Sequence, residues 1–223
     1  GGFKMTTRIG FDRALADLKE KLLVMGGKAT EAIHQAVTSL AERDLDLAQR
    51  VADGDDAIDD LAYELEEDCL RLIALQQPIA KDLRAVAAAY RMTTDLERIA
   101  DHAVNIAEIE LRIGKEPLIK PLIDIPRMAR MVEEMVHASL TAYVQNDPDL
   151  ARQNCRRDEE VDLLYESLFN ELMGFIMTGG ESHRAVQALN LLFAARYLER
   201  IGDHATNIGE RVIFMVTGKR ERY

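Results

Sequence analysis

Thirteen residues of this chain are written twice. Leu96-Glu97-Arg98-Ile99-Ala100-Asp101-His102-Ala103-Val104-Asn105-Ile106-Ala107-Glu108 returns as Leu198-Glu199-Arg200-Ile201-Gly202-Asp203-His204-Ala205-Thr206-Asn207-Ile208-Gly209-Glu210, identical at ten of thirteen positions. A fold that accommodates this must be two copies of one structural unit. At about 100° per residue, Leu96, Ile99, Ala100, Ala103, Val104, Ile106 and Ala107 share one arc, so the repeated unit contains a helix packed against neighbours.

The register extends beyond that segment. Asp44, Asp46, Leu47, Ala48, Asp55 and Asp59 match Asp147, Asp149, Leu150, Ala151, Asp158 and Asp162 at a constant offset of 103, and the closing helices match at 102. Apolar residues recur at helical spacing from Phe11 to about Ala41, with Gly26-Gly27 expected as a kink or a close-packing point. Asp44 and Asp46 offer N-caps for a second helix running to about Leu75, with an interruption open at Asp53-Gly54. Gln76-Gln77-Pro78 breaks the chain, and Pro78 is expected early in a third helix that continues to Gly114. After the linker Gly114–Pro121 the plan repeats: a helix over Arg127–Gln145, one over Asp149–Thr178, a break at Gly179-Gly180, and one over Glu181–Gly218. The expected fold is therefore all-α, with two three-helix units at 8–114 and 121–219. Aromatics make up only 5% of residues and Trp is absent, which agrees with a helical chain.

Glu97, Asp101 and Glu108 fall just past one edge of the apolar arc, while Arg98 and His102 fall past the other. Carboxylates one turn apart repel by a few tenths of a kcal/mol, and a packing border adds desolvation. With Arg98 and His102 pointing elsewhere, a bound cation is expected to offset that cost. The second helix of each unit carries a matching pair: Asp55 and Asp59, then Asp158 and Asp162. Antiparallel packing would gather Asp55, Asp59, Glu97 and Asp101 in one cluster, and Asp158, Asp162, Glu199 and Asp203 in the other. Asn105, Glu108, Asn207 and Glu210 are candidates of a second tier. Oxygen-only ligands suit hard or borderline ions and exclude Cu(I). The competing reading makes the same acids solvated boundary residues, and the retention of one pattern in two otherwise divergent copies counts against it.

Other chemistry finds less footing. Glu31/His34 and Glu134/His137 have the E-x-x-H spacing of di-iron bundles, but the register places Glu31 and His34 on the outer face. Cys69 and Cys155 occupy non-equivalent positions and read as reduced helix residues. There is no G-x-S-x-G, Cys/His arrangement or phosphate-cradling glycine loop. A net charge of −11 argues against a nucleic-acid or anionic-membrane surface. No apolar run approaches the roughly 20 residues of a membrane span and no signal peptide is read before Met5, so a cytoplasmic location is expected, with Gly1–Lys4 read as non-native residues ahead of a native Met5.

The paired L-E-R-I-x-D-H-x-x-N-I-x-E segments, Gln76-Gln77-Pro78-Ile79-Ala80-Lys81-Asp82-Leu83-Arg84 and the D-x-x-x-D pairs together resemble the PhoU family of phosphate-uptake regulators, from about Arg8 to Lys219. The second unit departs from the pattern, reading Gly179-Gly180-Glu181-Ser182-His183-Arg184 where the first has its Q-Q-P segment. The resemblance implies two tandem three-helix bundles whose acidic pairs hold multinuclear iron, zinc, manganese or magnesium. It also implies a non-enzymatic homodimer between the ATPase subunit of the phosphate ABC transporter and the PAS region of the phosphate-sensing histidine kinase, which keeps the phosphate-starvation response off when phosphate is plentiful. Two readings from other classes compete: a di-metal carboxylate enzyme, which predicts turnover, and a metal-free helical scaffold, which predicts indifference to divalent ions and chelators.

Overall fold

A computed structural model describes residues 2–178 and 180–223. Gly1 and Gly179, on which two of the expectations above fall, lie outside the described residues. Eight helices follow in order: α1 (Gly2–Glu42), α2 (Leu45–Asp53), α3 (Asp56–Gln76), α4 (Lys81–Ile113), α5 (Asp124–Gln145), α6 (Pro148–Cys155), α7 (Asp158–Met177) and α8 (Ser182–Thr217). Among the described residues there is no strand, and no helix is long and apolar enough to cross a membrane. The fold is an all-α helical bundle.

Each unit has one long helix (α1 or α5), a second helix broken in two (α2–α3 or α6–α7), and a long closing helix (α4 or α8). The starts are set by aspartates: Asp44 Oδ1 accepts the Leu47 N–H at 2.9 Å, and Asp147 Oδ1 accepts those of Asp149 and Leu150 at 3.0 Å. Gly54 ends α2 as its C-cap, as the sequence allowed. Asp149–Thr178 is not one helix, because α6 stops at Cys155 and α7 begins at Asp158 although no glycine intervenes. The buried Asn154 side chain donates to the Met135 carbonyl at 2.7 Å, tying the end of α6 to α5. Pro78 is not an early helical residue. Gln77 closes α3 in the left-handed region (φ 45°), and α4 starts only at Lys81. α1 runs unbroken through Gly26-Gly27, where a Cβ on Gly26 would overlap Leu140 Cδ1, so that glycine lets α1 and α5 approach closely.

The core is one continuous apolar cluster spanning both units, with Leu22, Leu65, Met92, Ile99, Tyr143 and Ile201 all inaccessible to solvent. α4 and α8 pack against each other more extensively than any other pair. Where the copies differ, bulk has been exchanged between facing positions. Ala52 and Ala107 of the first unit become Cys155 and Gly209, and a Cβ on Gly209 would lie 2.6 Å from the Cys155 sulfur. Gly209→Ala is expected to cost about 1–3 kcal/mol by overpacking. Cys155→Ala/Gly209→Ala, which restores the first unit's pairing, should recover most of that loss in urea denaturation. Equal losses in the single and double variants would refute the exchange. Both cysteines are buried, and burial pushes their thiols up to about 12, so neither is a reactive thiolate.

Candidate metal centre

The break in each second helix places acids where α3 and α7 begin. Asp55 stands at the N-cap position of α3 without a capping hydrogen bond, with Asp59 one turn on, and Asp158 opens α7 with Asp162 one turn on. Glu97 and Asp101 project from the middle of α4, and Glu199 and Asp203 from the middle of α8. In the first unit one carboxylate oxygen from each of Asp55, Asp59 and Asp101 lies within 4.8 Å of the other two. Among the described residues no other set of three potential ligands is that close. Glu97 borders this trio, since burial and then Asp101, Asp59 and Glu66 push its carboxyl upward.

The electrostatics are those of crowded like charge. Burial, then Asp59 and Asp101, pushes Asp55 up to about 6. Burial, then Asp162, Asp203 and Glu199, pushes Asp158 up to about 7. The helix N-termini favour anions here, yet they do not compensate for the crowding. Asp55 Oδ1 and Asp158 Oδ1 are buried without a hydrogen-bond partner, although buried polar atoms are nearly always partnered. Two orphaned carboxylate oxygens, each on an aspartate crowded by further carboxylates, fit a hard cation.

The clusters are unequal. Thr94 of the first unit corresponds to Arg196 of the second, and Arg196 donates to Glu199 Oε2 at 2.7 Å. Glu66 corresponds to Phe169. The first cluster therefore has one more acid nearby and one guanidinium fewer. Glu66 and Arg196 become informative once the two copies are laid in register. Ala100 becomes Gly202, and a Cβ on Gly202 would lie 2.9 Å from Asp158 Oδ1. The glycine thus lets Asp158 seat against α8.

Several expectations need correcting. Arg98 and Arg200 do not turn wholly away from the acids: Arg98 approaches Asp101 at 3.7 Å and Arg200 approaches Asp203 at 3.5 Å, both as exposed pairs one turn apart. Such pairs contribute little and leave the buried oxygens unserved. Asn207 donates to Asp95, Glu210 accepts the Tyr223 N–H at 2.9 Å, and Glu108 lies 3.7 Å from Arg112, so these second-tier candidates have other partners. Glu31, His34, Glu134 and His137 are exposed, as the register requires.

His102 and His204 lie on the seam between α4 and α8, their ring centroids 5.6 Å apart. There the duplication is visible as a pseudo-twofold axis. His204 contacts Asp95 (Nδ1 to Oδ1, 3.1 Å), while His102 stacks on Tyr197, the residue equivalent to Asp95, at 5.7 Å between centroids. Asp95, 4% exposed, also accepts from Asn207 Nδ2 at 3.2 Å and Arg211 Nε at 3.1 Å. Burial, with His204 alongside, lowers His102 to about 4 and keeps it neutral.

A profile of the PhoU domain matches residues 22–109 and again residues 125–212. The phosphate-specific transport system accessory protein PhoU homolog of Clostridium acetobutylicum is 41% identical over 217 residues, covering 97% of this chain and 98% of that protein. The protein of the same name from Pseudomonas aeruginosa is 36% identical, covering 96% and 88%. The crystal structure of PhoU from Pseudomonas aeruginosa superposes with a TM-score of 0.89 at 35% identity, covering 94% of this chain and all of that one. The phosphate transport system regulatory protein PhoU from Streptococcus pneumoniae gives 0.88 at 29% identity, covering 96% and 100%.

Proposed function

The chain belongs to the PhoU family, and on that premise we propose that it is a metal-binding cytoplasmic adaptor that represses the phosphate-starvation response and modulates phosphate transport. In this reading it links the ATPase subunit of the phosphate ABC transporter to the PAS region of the sensor histidine kinase, acts as a homodimer and has no enzymatic role. The names of its relatives, accessory and regulatory proteins of a phosphate transport system, support the reading.

The observation that carries the metal assignment is the convergence of Asp55, Asp59 and Asp101, with Asp55 Oδ1 buried and unpartnered. Those three and Glu97 would hold one centre, and Asp158, Asp162, Glu199 and Asp203 the other. A bound cation would supply the counter-charge that these carboxylates lack. The chain's own contribution is to hold the acids at the start of α3 and α7 against the midpoints of α4 and α8. Whichever ion neutralises them also ties the broken helix to the closing one.

Protein purified without chelator is expected to carry metal, and Glu97→Ala/Asp101→Ala and Glu199→Ala/Asp203→Ala should each lose part of it. At a free ion concentration a hundred times Kd, occupancy adds about 2.7 kcal/mol to stability, so chelator should lower the melting temperature of the native protein and not that of the combined variant. Unchanged metal content in both variants would remove the ligand assignment. The regulatory role is tested in the cell: deleting the gene should raise alkaline phosphatase under high phosphate, and an unaltered level would overturn it.

A further inference from the structure

A second charged site lies toward the start of α4 and the end of α8. A cavity of about 250 Å³ opens between α4, the last turns of α8 and the segment that follows α8. Arg91, Arg211, Arg220 and Arg222 line it, with Glu210 and Glu221. Acids outnumber bases 39 to 28 in this chain, so basic side chains should find partners easily. Among the described residues, however, Arg91, Arg220 and Arg222 have no carboxylate within ion-pair distance, whereas Arg211 is anchored through Nε on Asp95.

The two acids of the cavity do not fill that role. Glu221 is engaged by Arg152, which donates from Nε and Nη2 at 2.9 and 2.8 Å, and Glu210 accepts the Tyr223 N–H. Arg220 lies over the Phe214 ring, 5.5 Å from its centroid, which limits how far its guanidinium can swing away. On the neighbouring turn of α4, the buried Nε of Arg84 has no hydrogen-bond partner, and its guanidinium packs beside Gly218. The arrangement does not come from the duplicated fold, because the pseudo-symmetric counterparts of Arg91 and Arg211 are Phe193 and Ile109.

Guanidinium groups are permanently charged and present planar pairs of N–H donors that match two oxygens of a phosphoryl group. The cavity is smaller than the roughly 300–1,000 Å³ of pockets that enclose drug-sized ligands, which favours a compact anion. We propose that this cavity binds a small phosphate-class oxyanion, held by Arg91, Arg220 and Arg222 with Arg211 fixed behind them. The site shares no residue with the carboxylate clusters, so it stands or falls apart from the metal reading.

The test is calorimetric titration of the full chain with inorganic phosphate, with potassium chloride at equal ionic strength as the blank. Parallel titrations use AMP and phosphatidylglycerol vesicles, which carry the same chemistry on a nucleotide and on a lipid. Saturable phosphate binding is expected, weakened by at least about tenfold in Arg91→Ala/Arg222→Ala and unaffected in the exposed control Arg127→Ala. Arg91→Lys/Arg222→Lys, which keeps the charge and loses the fork, should fall between. Unchanged helicity and melting temperature of the variants without phosphate would show that the fold is retained. Tighter binding of AMP or vesicles with the same arginine dependence would support the site and name the carrier. No saturable binding of any of the three, or binding indifferent to the double substitution, would overturn the proposal.

Discussion

Arg43→Ala should unfold far more easily at alkaline than at mildly acidic pH. Arg43 pairs with Glu110, which is fully buried, and donates to the carbonyls of Gly114 and Glu116 at 2.5 and 2.9 Å, so one guanidinium ties the end of α1 to the end of α4. Burial pushes the Glu110 carboxyl up to about 7, with Arg43 pulling the other way. A carboxyl raised from 4.5 contributes stability that is fully present below 4.5 and is lost as pH rises through 7. Without Arg43 the folded value climbs further. Above it the buried carboxylate has no counter-charge, and the loss should be about 3–5 kcal/mol, at roughly 2–4 °C of melting temperature per kcal/mol. At about pH 5 Glu110 is protonated in the fold, so the loss should shrink to the severed hydrogen bonds, about 1–3 kcal/mol. Arg43→Ala/Glu110→Gln should recover much of the alkaline deficit. Thermal melts at both pH values decide the matter, and equal losses at each would show that Glu110 is not a charged orphan in the variant.

The second large effect is expected at the seam. Asp95→Ala withdraws the acceptor shared by Arg211, Asn207 and His204 and leaves a partly buried guanidinium facing α4, at a cost of about 3–5 kcal/mol. Asp95→Asn should cost less, because its amide oxygen still accepts. Asp95→Ala/Arg211→Leu should be more stable than Asp95→Ala alone, as expected when the penalty is an uncompensated charge. Denaturant melts of the native protein, Asp95→Ala, Arg211→Leu and the double variant form the cycle. A double variant no better than the sum of its singles would mean that Asp95 acts through packing.

The duplication, the aspartate caps and the acidic pairs were legible because each is a local pattern that recurs at a fixed offset. What sequence could not show is set by contacts distant in the chain. The break between Cys155 and Asp158 has no glycine to announce it and is stabilised by Asn154 reaching α5. Proline suits a first helical turn, yet the left-handed Gln77 and the positive φ of Ala80 delay α4 to Lys81 and leave Pro78 outside it. His102 and His204 could be placed away from the acids by helical register, but their meeting across a pseudo-axis depends on how α4 crosses α8. The inequality of the clusters rests on Thr94 against Arg196 and Glu66 against Phe169, single exchanges that carry meaning only after the copies are superposed.

The two halves recognise each other as unlike objects. Asp95 meets Arg211 on one side of the pseudo-axis, while the counterparts of this pair on the other side are Tyr197 and Ile109. Two first halves brought together would each enclose an aspartate with no arginine to meet it, and two second halves would each present an arginine with no acid opposite. Self-recognition of either copy is therefore penalised, and the ancestral symmetry has given way to a match that only a complete chain can make.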